Sequence, residues 1–249
     1  MFRPRLALAS LSGESDAAWA RRGREYAGCA FMGGIALDDS TREAARRMVD
    51  RDREEFLPPD PVAFVDRQLA AVEALPVRGA FNVRAASPEP IRAVAERCAD
   101  RGAVLEVNAH CRQAEMCAAG AGESLLRDPD RLTAQVRAAS DAGAATSVKV
   151  RAELDGVDLP AVARSVERAG GDAIHVDAMD SEPVVGAVAD AADLFVIANN
   201  SVRDRATVEE YLELGADAVS VGRPSDDPAV LARVRRAVED WFDFRRVEA

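Results

Sequence analysis

The chain has 249 residues, 48% of them hydrophobic, with 43 acidic against 32 basic side chains and a formal net charge of −11. That length and apolar content suffice for one large core, while the negative charge opposes nonspecific attraction to nucleic acid, DNA included, and to anionic membrane. No apolar run approaches the roughly 18 residues that span a bilayer, and the run after Met1-Phe2-Arg3-Pro4-Arg5 is too short for a secretory signal, so a cytoplasmic protein is expected.

Short apolar runs read as strands at residues 5–9, 29–32, 80–83, 104–107, 147–150, 173–176, 194–198 and 218–221. The long connection 33–61 carries an extra helical stretch at 39–54. Ser87-Pro88-Glu89-Pro90 opens a helix running to residue 101, with an N-cap serine and first-turn prolines. The connection 108–123 is rich in Gly and Ala and reads as a loop long enough for a functional lid. Residues 124–142 have apolar side chains at 125, 126, 132, 136 and 139, a helical spacing; further helices are expected at 159–169, 182–191, 205–214 and 228–244. Gly102, Gly143, Gly170 and Gly215 stand where helix C-termini are expected.

Eight strands alternating with helices predict an α/β fold, a single (β/α)8 TIM barrel spanning 1–249 as one domain. An open doubly wound sheet is the alternative. No GxGxxG follows the first strand, which disfavours a dinucleotide-binding Rossmann fold.

In a barrel, polar residues at the C-terminal ends of strands mark the active site. Those ends carry Ser10, then Asn82 and Arg84, then Glu106 and Asn108 running into His110 and Cys111. They continue with Lys149 and Arg151, His175 and Asp177, Asn199-Asn200-Ser201, and Gly222-Arg223. Both histidines fall in this set. So does Lys149, the single lysine beside 31 arginines. An ammonium is a compact charge whose pKa responds to burial, whereas guanidinium is a planar fork that stays protonated. The choice of Lys at one interior position points to chemistry. The last two turns each precede a helix and pair backbone amides with an Arg, a phosphate-binding pattern in this fold.

The four cysteines (Cys29, Cys98, Cys111, Cys117) show neither a CxxC pair nor metal-ligand spacing, so free thiols and no metal are expected. An acidic, lysine-poor composition suits a salt-rich cytosol that screens self-repulsion.

Several of these segments together resemble one family. Glu106-Val107-Asn108-Ala109-His110-Cys111, followed by Gly120-Ala121-Gly122-Glu123-Ser124-Leu125-Leu126, resembles the tRNA-dihydrouridine synthases, and in particular a shorter archaeal branch related to them. Ser147-Val148-Lys149-Val150-Arg151, the turn at Asn199-Asn200-Ser201 and the run Gly215-Ala216-Asp217-Ala218-Val219-Ser220-Val221-Gly222-Arg223 are similar to further segments of that family, in the same order. The dihydroorotate dehydrogenases share the flavin barrel and a similar Asn-x-x-Cys turn.

The resemblance implies an FMN-dependent oxidoreductase that reduces the C5=C6 bond of a uracil ring by flavin hydride transfer, with NADPH or NADH as electron donor. By resemblance, Cys111 is the general acid, and Lys149 and His175 contact the flavin ring. Ser10, Asn82 and Asn108 lie along the cofactor, and Asn199, Ser201, Gly222 and Arg223 hold its phosphate. The partner implied is a pyrimidine, free or within tRNA. The sequence departs from the family at His110-Cys111-Arg112, where the family has Gly-Cys-Pro, and it leaves no room for the C-terminal helical RNA-binding domain. Arg84, Arg112, Arg151 and Arg223 are the rim arginines expected to offer a local basic surface. Other readings remain open: a dihydroorotate dehydrogenase-like enzyme, a Schiff-base lyase using Lys149, a Cys111–Cys117 redox couple, or a silent flavin-binding barrel.

Overall fold

A computed structural model describes residues 1–248, with side chains through Phe244. The strands are β1 (Leu6–Leu8), β2 (Cys29–Ala36), β3 (Arg78–Arg84), β4 (Val104–Ala109), β5 (Ala145–Arg151), β6 (Ala173–Asp177), β7 (Phe195–Asn199) and β8 (Ala218–Val221). All pair in parallel in chain order, and β8 closes on β1 with Leu6 opposite Val219 and Leu8 opposite Val221. The result is a single closed (β/α)8 barrel, as the alternation predicts. The open doubly wound sheet is thereby set aside.

The helices are α1 (Ala17–Gly23), α2 (Asp39–Val49), α3 (Pro61–Val72), α4 (Pro88–Asp100), α5 (Ala114–Ala118), α6 (Pro129–Asp141), α7 (Leu159–Arg168), α8 (Pro183–Ala189), α9 (Arg205–Glu213) and α10 (Pro228–Glu248). Six of them begin the same way. Asp16, Asp38, Asp60, Asp128, Asp158 and Asp204 each accept a hydrogen bond from the backbone N–H three residues on. Each such cap is worth about 1 kcal/mol, so part of the acidic excess is spent on starting helices. Ser87 precedes α4 as expected but makes no cap bond, because the residue three further on is Pro90, which has no N–H to give.

Three helices lie outside the sequence reading. α3 had its signals, Asp60-Pro61 and a buried stripe of Val65, Leu69 and Val72. α1 and α5 are only seven and five residues long, too short for a periodic pattern. The segment read as one helix at 124–142 divides into a 3-10 turn, Gly122–Arg127, and α6. The break falls at Asp128-Pro129, where the proline imposes a new start. β2 also runs four residues beyond its apolar stretch, continuing through Gly33-Gly34 with a register shift against β3.

Period-two alternation sorts the strands into two faces. Leu6, Leu8, Met32, Phe81, Leu105, Val148 and Ile174 point outward and pack beneath the helices. Inside the barrel the lower layer is apolar, built from Phe2, Ala7, Cys29, Phe31, Ala80, Val104, Ile197 and Ala218. One pleat higher the interior turns polar: Asn82, Glu106, Ser147, His175 and Ser220 are all fully buried. Phe31 marks the boundary, its ring centroid 5.2 Å from that of His175. Among the described residues, no helix is long and apolar enough to cross a membrane.

Candidate active site

The polar layer is one connected network centred on Glu106 of β4. Asn82 Nδ2 donates to Glu106 Oε1 at 2.7 Å, and Asn108 Nδ2 donates to Asn82 Oδ1 at 2.9 Å. Glu106 Oε2 lies 2.8 Å from His175 Nδ1. On the far side of the ring, His175 Nε2 meets Ser220 Oγ at 2.7 Å, and Ser220 Oγ accepts from Asn199 Nδ2 at 2.8 Å. The chain of bonds crosses the barrel from β3 to β8.

Its charge state follows from burial and neighbours. Burial alone would push the Glu106 carboxyl up. The facing His175, Lys149 and the Asn82 bond outweigh it, and the pKa is lowered, so Glu106 is ionised. Burial pushes His175 down from its ordinary 6.5, only partly offset by Glu106, so the imidazole is neutral. Its tautomer is then set: Nδ1–H donates to Glu106, and Nε2 accepts from the Ser220 hydroxyl. Lys149, 4% exposed, stands one pleat above Ser147 and pairs in register with His175 on the neighbouring strand. It supplies the positive charge that this ionised carboxylate faces.

Above the network lies a cavity of about 620 Å³ at the C-terminal mouth of the barrel. Of the expected site residues, Ser10, Lys149, Asn199, Ser201, Gly222 and Arg223 line it. The turn after β7 holds two left-handed residues, Asn200 at φ 109° and Ser201 at φ 53°. Asn200 Nδ2 bonds the Met179 carbonyl, and the Tyr211 hydroxyl donates to the Asn200 carbonyl at 3.1 Å, which fixes the turn. Across from it, a Cβ added to Gly222 would meet nothing within 4 Å, so its backbone is open to the cavity. Among the described residues, no carboxylate lies within ion-pair distance of Lys149, Arg112 or Arg223, although 18 arginine–carboxylate pairs form. A cavity with unpaired cations and an open glycine backbone at one end fits a ligand carrying phosphate.

The other expected residues sit elsewhere. Asn82 and His175 are fully buried in the network beneath the cavity floor, as is Asn108 at 7% exposure. They brace the floor and do not line it. Cys111 also lies outside the lining. Asn108 Oδ1 accepts from the backbone N–H of both His110, at 3.1 Å, and Cys111, at 2.8 Å, pinning the turn after β4. The two side chains diverge from that turn. His110 faces the cavity, its Nε2 2.6 Å from Asp177 Oδ2. Cys111 packs into a satellite cluster with Ala36, Met48, Met116 and Ala121, beside the Arg84 guanidinium. Cys117 reaches the Cys111 carbonyl at 3.5 Å, and all four cysteines are free thiols.

Arg84 corrects one expectation. It is 1% exposed and paired with Glu55, also buried, so it adds nothing to a basic surface. Arg151 lines the cavity but is paired with Glu123 at 2.7 Å. Among the described residues, the rim charge without a carboxylate partner comes from Arg112, Arg203 and Arg223. Sequence reading placed Glu106, His110 and Asp177 among the strand-end candidates without an individual role, and did not single out Glu55. Glu106 did carry a signal, a lone acid inside the apolar strand Val104-Leu105-Glu106-Val107. Glu55 had none, since it lies in an irregular connection. Among the described residues no cluster of His, Cys, Asp or Glu is placed to hold a metal.

A family model described as dihydrouridine synthase matches residues 71–245. An uncharacterised protein of Methanocaldococcus jannaschii is 24% identical over 232 residues, covering 88% of each chain. Among solved structures, morphinone reductase in complex with tetrahydroNAD superposes with a TM-score of 0.65 at 14% identity, over 94% of this chain and 87% of that one. A tryptophan synthase complex from Pyrococcus furiosus gives 0.58 at 11% identity, over 96% and 98%. At these identities the two structures are similar in fold alone.

Proposed function

Because the chain belongs to the dihydrouridine synthase family, we propose that it is an FMN-dependent oxidoreductase that reduces the C5=C6 bond of a uracil ring, within tRNA or in a free pyrimidine. The observation that carries this reading is the cavity itself: an open glycine backbone and Arg223 at one end and the chain's only lysine on its floor, both without a carboxylate partner among the described residues. Asn199, Ser201, Gly222 and Arg223 would hold the cofactor phosphate, with Ser10 beside them. Lys149 would lie against the flavin ring.

When bound, FMN supplies hydride to C6 of the uracil ring. The chain's own residues do the rest. Lys149 would supply a positive charge for reduced flavin, which is negative; such charge is the protein's main lever on the cofactor. Neutral His175 and ionised Glu106 are fully buried beneath the cavity, and the Glu106 carboxylate supplies the negative charge that Lys149 faces. Asn108 fixes the turn at His110 and Cys111, which would supply the proton for C5. A nicotinamide is the proposed electron donor. The reaction belongs in the cytoplasm, where free thiols persist.

The test is anaerobic. The flavin of the purified protein is reduced with dithionite and challenged with unmodified tRNA transcript, uridine or orotate. Reoxidation by one of these, with loss of the 5,6-double bond, is the expected result. Flavin that stays reduced with all three would overturn the reading.

A further inference from the structure

We propose that the His110 ring, held in place by Asp177, reads the imide N–H of the pyrimidine, accepting that N–H at Nδ1. The inference rests on the pyrimidine reading above and names the ring edge that is recognised. It concerns selection of the substrate and leaves proton delivery to Cys111.

The pair is placed by two strands. His110 follows β4, where Asn108 Oδ1 accepts from its backbone N–H at 3.1 Å. Asp177 ends β6, and its Oδ1 accepts from the Met179 N–H at 3.2 Å. Both residues line the cavity, and His110 Nε2 lies 2.6 Å from Asp177 Oδ2. Asp177 is ionised: burial opposes its charge, but the His110 bond, Lys149 and the Met179 N–H outweigh burial. An ionised carboxylate only accepts, so His110 Nε2 carries the ring proton.

Nδ1 is then a lone pair. Among the described residues it has no hydrogen-bond partner, and it is not one of the sealed polar atoms of the interior. The side chain is 31% exposed, so the lone pair is reachable from the cavity. Desolvation by the surrounding wall is the largest influence on the ring and disfavours the imidazolium, as do Lys149 and Arg151 from β5; Asp177 from β6 favours it. The balance holds His110 below its ordinary 6.5, so at neutral pH Nδ1 accepts and does not donate.

The neighbours of that lone pair are cationic. Arg112, Lys149 and Arg151 line the same cavity. A neutral acceptor among cationic donors complements an imide edge, in which one N–H lies between two carbonyls. Uracil has that edge. Cytosine carries a lone pair at the same ring position and would meet Nδ1 acceptor to acceptor. A methyl group on N3 removes the proton and adds bulk. A site that hydrogen-bonds a substrate N–H rejects an analogue lacking it far more strongly than an apolar pocket rejects a methyl group.

The flavin-loaded protein is reduced anaerobically, and its reoxidation is followed with uridine and with 3-methyluridine, or with oligonucleotides carrying either base if only a polynucleotide reacts. Wild type should prefer the unmethylated base by at least about 100-fold in kcat/KM. His110→Ala removes the lone pair and leaves room for the methyl group. It should lose about 10- to 100-fold on the unmethylated base, mainly through KM, and its preference should shrink to within about tenfold. Asp177→Asn keeps an acceptor for Nε2–H and should retain the preference, whereas Asp177→Ala should lose it. Each variant should keep its flavin absorbance. Wild type using both bases equally, or His110→Ala keeping the full preference, would overturn the proposal. A second measurement needs neither a variant nor turnover. The chain has two histidines and His175 is fully buried, so diethyl pyrocarbonate reads His110 alone. The unmethylated ligand should protect His110 from that reagent and the methylated one at the same concentration should not; equal effects of the two would also overturn it. Wild-type flavin that no pyrimidine reoxidises is a different failure, that of the pyrimidine reading itself.

Discussion

Glu106 on β4 and His175 on β6 meet at 2.8 Å with neither side chain exposed to solvent. The pair ties two strands that are not neighbours, with β5 and its Lys149 between them. Replacing Glu106 with Gln keeps the shape but removes the charge that Lys149 and His175 face. Losing a buried hydrogen bond to a charged group costs about 1.5–3 kcal/mol. Glu106→Gln should lower the urea midpoint by a corresponding amount, and Glu106→Ala by at least as much. A change below about 1 kcal/mol in Glu106→Gln would mean that the carboxyl is protonated in the native state.

The same pair sets an acid limit on stability. His175 is held below its unfolded value of 6.5, so the unfolded chain binds a proton that the folded chain refuses. Stability is therefore complete above pH 6.5 and falls as pH drops toward the folded pKa, by up to about 1.4 kcal/mol per pH unit for this one proton. Glu106, also lowered, has the same sign and adds its loss below pH 4.5. Urea midpoints at pH 7.5 and 5.5 should differ, and the difference should shrink in His175→Gln. Equal midpoints at both pH values would contradict a neutral His175.

Arg84 and Glu55 form a second buried pair, with side-chain exposures of 0% and 1%. Arg84 Nε has no partner, and the Cys111 thiol lies beside the guanidinium. Glu55→Ala strands a buried guanidinium and should destabilise by about 3–5 kcal/mol. Thermal unfolding of Glu55→Ala against a surface control such as Glu43→Ala checks this. Similar melting temperatures for the two would show that the pair is solvated.

Arg223 and Lys149 divide the cofactor between them in this account. Arg223→Met removes a charged hydrogen bond worth roughly 1.5–3 kcal/mol, so FMN affinity should fall by about 10- to 100-fold. Lys149→Met should weaken reduced FMN more than oxidised FMN and so lower the flavin midpoint potential. Fluorescence titration and a dye-coupled reductive titration measure the two. An unchanged potential in Lys149→Met would place the flavin ring elsewhere.

The barrel was legible because its period-two strands alternate with capped helices. β8 falls at 218–221 in both the sequence reading and the structure. The cavity rim was legible too, since Ser10, Lys149, Gly222 and Arg223 follow directly from strand ends. What the sequence concealed was depth and direction. Asn82 and His175 are both fully buried in the Glu106 network, a depth that residue type and position do not reveal. Whether His110 or Cys111 faces the cavity depends on a single Asx turn at Asn108, a bond between a side chain and two backbone groups that no spacing rule encodes. The Arg84–Glu55 pair spans 29 residues and an irregular connection, so neither partner announces the other.

The most direct measurement of the central claim is a visible absorbance spectrum of the purified protein, followed by release and identification of any bound cofactor. The account predicts a flavin spectrum and one FMN per chain, with added FMN restoring any shortfall. A colourless protein that also fails to bind added FMN would contradict it and turn attention to Lys149 as an amine nucleophile.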